Sequence, residues 1–250
     1  KVAVPDAILA KPGPLDPETL SLYGIAMPRC TAGAIVQLIF EQIRAGGDRN
    51  FGYLIGDRDA RRGVLIDPSY SPEAFVERAR VQDLTIAHII NTHGHPDHVN
   101  GNDRAKELTG AALAAPPLLV PDVALADREE LTVGSLRLVT FHVPGHSPDH
   151  LAIYEPNHQI LVTGDLLFVG KVGGTSTDDD AEDEWDSLQR LVSEIPDAAT
   201  VWPGHDYGVR PSSTMALEKS TNPFLRCADL PAFRQMKAEW PAFKQRLGLK

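Results

Sequence analysis

Two hundred and fifty residues, 42% hydrophobic and 23% charged, make an ordinary globular chain: one large α/β domain or two small ones, too apolar for disorder. No apolar run approaches the ~18 residues of a membrane span, and 34 acidic against 24 basic residues, a net charge of −10, argue against nucleic acid as partner, whose binding rests on phosphate neutralisation by Lys and Arg. Two cysteines, Cys30 and Cys227, make no disulfide framework; read as free thiols they fit a cytoplasmic protein, while a start at Lys1 rather than Met leaves a removed signal peptide open.

Residues 1–32 are Pro-rich (Pro5, Pro12, Pro14, Pro17, Pro28) and read as an arm ahead of a single domain, 33–250, that ends in a short helical tail. Strand-like patterning begins at Ala34, and 51–56 and 63–67 form a meander around the polar turn 57–62. Ser71 and Pro72 start a helix, as N-cap and first helical residue, with Phe75, Val76 and Ala79 on its inner face. The β-branched run 85–91 predicts a buried strand ending in a polar cluster, 92–100, and a second helix over 102–108 stops at Gly110. Short strands follow at 111–115, 131–133, 136–143, 151–154 and 159–163. A helix over 183–195 carries the apolar stripe Trp185, Leu188, Val192 and Ile195, and a last strand, 200–202, runs into Pro203-Gly204-His205. Two similar halves of strands and helices fit a sandwich of two sheets with helices outside.

The stretch Thr92-His93-Gly94-His95-Pro96-Asp97-His98 concentrates three imidazoles and a carboxylate, ligand types that zinc prefers. Alternation points His93 and His95 the same way, while Asp97 and His98 turn to a neighbouring position, so one loop can serve two metals. Three more candidates follow strands beside glycine: His146 after Gly145, Asp165 after Gly164, and His205 after Gly204. Glycine lets the backbone turn sharply there, and strand-end loops are where binding residues collect. Of the other histidines, His88 and His142 lie within strands and read as packing residues, and His150 and His158 fall outside the pattern. Asp67, ending a strand, is either a turn residue or a partner that orients a ligand imidazole.

The ordered series His93, His95, Asp97, His98, His146, Asp165, His205 resembles the metallo-β-lactamase-fold superfamily over about residues 51–226. The resemblance implies an αββα sandwich of two mixed β-sheets flanked by helices. It places one metal on His93, His95 and His146, a second on Asp97, His98 and His205, and Asp165 between them. Two Zn2+ so held would give a hydrolase in which a bridging hydroxide attacks an activated carbonyl, with Asp97 as catalytic residue holding the hydroxide's proton. The tail from Gly204 through Asn222-Pro223-Phe224 is similar to the glyoxalase II group of thioester hydrolases and its persulfide dioxygenase relatives. A dioxygenase would instead use one Fe2+ on His93, His146 and Asp165; a lactonase or β-lactamase is a further alternative. Phe168, Lys171 and Tyr207 are candidate substrate-lining residues, with Lys171 a basic anchor. The acidic run 178–184 reads as a solvated loop leading into the helix, and the 45 residues after His205 leave little room for a full glutathione-binding domain. The expected partner is a small-molecule substrate, without nucleic acid or membrane; oligomeric state carries no sequence signal.

Overall fold

The computed structural model describes residues 37–247; the proposed arm and Cys30 lie outside the described residues. The first half of the chain contributes β1 (Leu38–Gly46), β2 (Asn50–Asp57), β3 (Arg62–Ile66), α1 (Pro72–Val81), β4 (Thr85–Ile90), α2 (Pro96–Val99), α3 (Asn102–Thr109), β5 (Ala112–Ala115) and β6 (Val123–Ala124). These six strands pair in chain order, antiparallel through β1–β2–β3 and parallel from β3 to β6. The second half contributes β7 (Glu130–Val133), β8 (Leu136–His142), β9 (Leu151–Glu155), β10 (Ile160–Gly164), a hairpin of β11 (Leu167–Phe168) and β12 (Lys171–Val172), α4 (Asp178–Glu194), β13 (Thr200–Pro203), β14 (Ser213–Thr214), α5 (Met215–Thr221) and α6 (Leu230–Leu247). Its sheet runs β14-β13-β10-β9-β8-β7, with β10 and β13 parallel.

Period-two alternation sorts each strand between two apolar layers. In β2, Tyr53 and Ile55 face the middle of the sandwich, where they meet Leu151, Ile153 and Val162 of the other sheet. Leu54 faces outward, with Leu65, onto Phe75 and Ala79 of α1. A third cluster packs the outer face of the second sheet, through Leu161 and Val201, on Leu188 and Leu191 of α4, Met215 of α5 and Phe233 of α6. The layers are therefore helices, sheet, sheet, helices, as expected.

Three local expectations change. Ser71 precedes α1 but makes no side-chain cap; its hydroxyl donates instead to the Ala45 carbonyl (2.9 Å), tying the helix to β1. The acidic run is not a loop: α4 starts at Asp178, because Thr177 and Asp180 form a capping box and carboxylates in a first turn complement the helix dipole. The hairpin β11–β12 was not expected from the sequence. Among the described residues no helix is long and apolar enough to cross a membrane.

Candidate metal centre and its cation-lined cavity

The loops that carry the candidate ligands leave β4, the β8–β9 turn, β10 and β13 at one edge of the sandwich. All seven side chains converge there. Three groups have ligand atoms mutually within 4.8 Å: His93, His95 and His146; His93, His98 and Asp165; Asp97, His98 and His205. The first and third are the two triads the family resemblance implied. Asp165 lies between them, with Oδ1 3.4 Å from His98 Nε2 and Oδ2 3.6 Å from His146 Nε2 and 3.2 Å from His205 Nε2.

Backbone shape permits this crowding. Gly145 sits at φ +133°, and a Cβ there would run into Glu184 of α4. A Cβ on Gly204 would meet Asp165 and the His98 ring.

Hydrogen bonds fix most of the rings by their far nitrogens, which leaves Nε2 facing inward. His98 Nδ1 donates to Asp67 Oδ2 (2.9 Å), His146 Nδ1 to the Gly174 carbonyl (2.9 Å) and His205 Nδ1 to the Asp48 carbonyl (2.9 Å). Thr92 Oγ1 donates to Asp67 Oδ2 (2.7 Å) and so accepts from His93 Nδ1 (3.0 Å). Asp67 is thus the orienting partner rather than a simple turn residue.

The donor set fits a cation. With His93 and His146 both donating through Nδ1, their Nε2 lone pairs lie 2.9 and 3.0 Å from His95 Nδ1, a geometry that either one shared His95 proton or a cation satisfies. His98 Nε2 and Asp165 Oδ1 are buried without a hydrogen-bond partner, and such atoms normally have one. Charge divides the cluster. Burial, with His150 and His98 nearby, holds the His93 imidazole well below its usual range, and burial also lowers His146. Burial opposes charge on His98 too, but Asp67 and Asp165 outweigh it and hold that ring well above its usual range. Burial disfavours an ionised Asp165, yet His98 and His205 keep its carboxyl well below the carboxylate range. Neutral imidazoles on one side and carboxylate-paired ones on the other can both take a divalent cation in place of protons.

His150, left outside the pattern by its sequence position, belongs here. Its Nε2 accepts from the Asp165 N–H (3.0 Å), and its ring stacks on His93 at 4.8 Å and 24°. Burial lowers it to about 3, so it is a fixed neutral acceptor beneath Asp165. The only sequence signal was its place four residues after His146 in the same loop. His88, by contrast, stays in β4, and His142 reaches only the Pro148 carbonyl (2.9 Å).

Of the candidate substrate residues, Tyr207 stacks on His205 at 4.6 Å and 8°, and Lys171 Nζ lies 4.1 Å from the centre of the Tyr207 ring. Both line a cavity of ≈ 300 Å³ with Arg49, Trp240 and Lys244. Phe168 does not line it; it is buried behind, 6.1 Å from His205 and 5.2 Å from Tyr207. Burial, with Lys244 and Arg49 close by, lowers the Lys171 ammonium to about 8. None of the acidic run lines this cavity; Asp178 instead edges a separate one of ≈ 440 Å³ beneath the 172–177 loop. The short tail does reach the site, through Trp240 and Lys244 of α6. The β1–β2 turn and the first residue of β2 were also missed: Asn50 Nδ2 donates to Asp97 Oδ2 (2.9 Å), and Tyr207 donates to Asp48 Oδ2 (2.6 Å).

A family model described as the metallo-beta-lactamase superfamily matches residues 45–124 and 113–205. A hydroxyacylglutathione hydrolase of Rhizobium johnstonii is 31% identical, the match covering 74% of this chain and 86% of that protein. The crystal structure of ETHE1 from Myxococcus xanthus superposes with a TM-score of 0.75 at 30% identity, covering 81% of this chain and 91% of the other. A structure described as TTHA1623 in a di-iron-bound form gives 0.63 at 30% identity, covering 74% and 100%.

Proposed function

The chain belongs to the metallo-beta-lactamase superfamily, and on that premise we propose that it is a hydrolase of the hydroxyacylglutathione hydrolase type, opening an anionic thioester at a two-metal centre. His93, His95 and His146 would hold one metal, and Asp97, His98 and His205 the other, with Asp165 shared; two Zn2+ suit a nitrogen and oxygen donor set of this kind. When bound, such a pair supplies Lewis-acid polarisation of the scissile carbonyl and a water acidic enough to ionise near neutral pH. The protein's own groups do the rest. Asp97, 33% exposed against 9% for Asp165, is the carboxylate that reaches solvent, and its Oδ2 is steadied by Asn50. It would hold the proton of the attacking water and aim its lone pair. Arg49, Lys171 and Lys244 offer three positive charges to the carboxylates of the thiol portion, and Tyr207 seats that portion against the His205 side of the cluster. Residues 33–250 form, in this reading, one catalytic domain preceded by the 1–32 arm.

The observation that carries the reading is continuity: the His205–Tyr207 stack joins the ligand cluster directly to a cavity lined by cations. The test is metal content together with turnover of an S-acyl glutathione against an uncharged thioester with the same acyl group. About two zinc ions per chain and a clear preference for the anionic substrate are expected. Fewer than one metal per chain, or equal turnover of both thioesters, overturns it. A second reading, a single-iron persulfide dioxygenase on His93, His146 and Asp165, draws on the 3.6 Å approach of His146 to Asp165 and on the similarity to the ETHE1 structure. Oxygen uptake with glutathione persulfide by the iron-loaded protein decides for it.

A further inference from the structure

Behind His146, on the side away from the cluster, lies a buried ion pair that the proposed reaction does not use. Lys237 of α6, 13% exposed, pairs with Glu184 of α4, whose side chain is fully buried. Lys237 Nζ also donates to the Gly173 carbonyl (2.9 Å). One peptide further on, the Gly174 carbonyl accepts the His146 Nδ1 proton (2.9 Å). Glu184 fills the space beneath the same loops: a Cβ on Gly145 would collide with it, and one on Gly173 would lie 3.1 Å from both Glu184 Oε1 and His146 Cβ.

We propose that Lys237 and Glu184 are a positioning pair that sets the orientation of His146 through the Gly173–Gly174 peptide, so that α6 is part of the frame of the metal centre. Two successive glycines have no side chains with which to fix their own backbone, and glycine has the widest conformational range of any residue. The carbonyl that orients His146 must therefore be placed from outside: the Gly173 N–H donates to the Leu166 carbonyl (3.1 Å), and Lys237 holds the Gly173–Gly174 peptide itself through the Gly173 carbonyl. Stability alone does not account for the pair. Replacing a buried ion pair by apolar side chains of similar size is often neutral or stabilising, and Glu184 Oε1 has no hydrogen-bond partner among the described residues. Orientation of a ligand imidazole through its far nitrogen, in contrast, commonly changes metal affinity by about 10–100-fold.

The inference rests on the metal reading above, and its test separates the two. Lys237→Met alone leaves a buried carboxylate unpaired, so both stability and metal binding should fall. The double variant Lys237→Met/Glu184→Met removes both charges and should recover a melting temperature close to wild type. Its zinc affinity, measured by chelator competition on the full chain, should stay about tenfold or more below wild type for one of the two equivalents, with kcat reduced and KM for the thioester unchanged. In the metal-free protein, the His146 Nδ1 proton should exchange slowly with water in wild type and fast in the double variant. A double variant that keeps wild-type affinity for both metals and slow Nδ1 exchange overturns the proposal. Should wild type bind no metal, the metal reading fails, while the exchange measurement still tests the tether.

Discussion

The ligand cluster and the cavity beside it share the His205–Tyr207 stack, yet their side chains are held in different ways. In the cluster, the inward-facing nitrogens of His93, His98, His146 and His205 are aimed by bonds to Thr92, Asp67, Gly174 and Asp48, on short side chains at strand ends. In the cavity, Arg49 and Lys171 meet aromatic faces, with Arg49 4.7 Å and Lys171 4.1 Å from the Tyr207 ring centre. Long cationic side chains carry much rotamer freedom and lose it when they are fixed. Reacting atoms demand placement to a fraction of an ångström, whereas charge recognition tolerates adjustment. One region is built to hold still, the other to accommodate.

The comparison breaks if the orienting bonds prove dispensable. Asp67 is its sharpest point, because one carboxylate aligns His98 directly and His93 through Thr92. Asp67 also sits at φ +46°, which Asn tolerates better than most residues. Asp67→Asn should therefore fold while losing about tenfold or more in metal affinity by chelator competition; unchanged affinity would mean the cluster is no more pre-set than the cavity. Next in size is the cavity itself. Lys171→Ala should raise KM for an anionic thioester about fivefold with kcat nearly unchanged, on the order of 1 kcal/mol for one charged contact. Wild-type KM should rise as pH passes about 8, where the depressed Lys171 ammonium loses its proton. Lys171→Arg, charged throughout that range, should remove the rise. The smallest effect lies outside both regions. Thr177→Ala removes the cap of α4, should cost about 1 kcal/mol, and should lower the melting temperature by about 2–4 °C without changing KM.

The same contrast governs what could be read from sequence. The strand cores were legible through alternation, the 93–98 loop through its density of His and Asp, and His146, Asp165 and His205 through their places after strand-end glycines in an ordered series that resembles the superfamily. The start of α4 was missed although Thr177 and Asp180 carry the capping-box spacing; the density of charge suggested a loop, whereas the helix dipole stabilises it. Arg49, Trp240 and Lys244 meet only when the β1–β2 turn and the last helix close on the β11–β12 hairpin, so no spacing announces them. His150 acts through the Asp165 N–H, and backbone partnerships leave no trace in side-chain identity.

Each triad within ligand distance draws on both halves of the chain: His93 and His95 with His146, His93 and His98 with Asp165, Asp97 and His98 with His205. An ion seated in any of them would act as a rivet between the two sheets. Its binding free energy would then add to the cohesion of the whole fold, since a ligand bound only by the native state deepens that state. Stripping the ions would leave the sandwich fastened by its apolar middle layer and by the hydrogen bonds that cross it, such as Phe51 N–H to the Gly204 carbonyl (2.8 Å) and Tyr207 to Asp48 (2.6 Å).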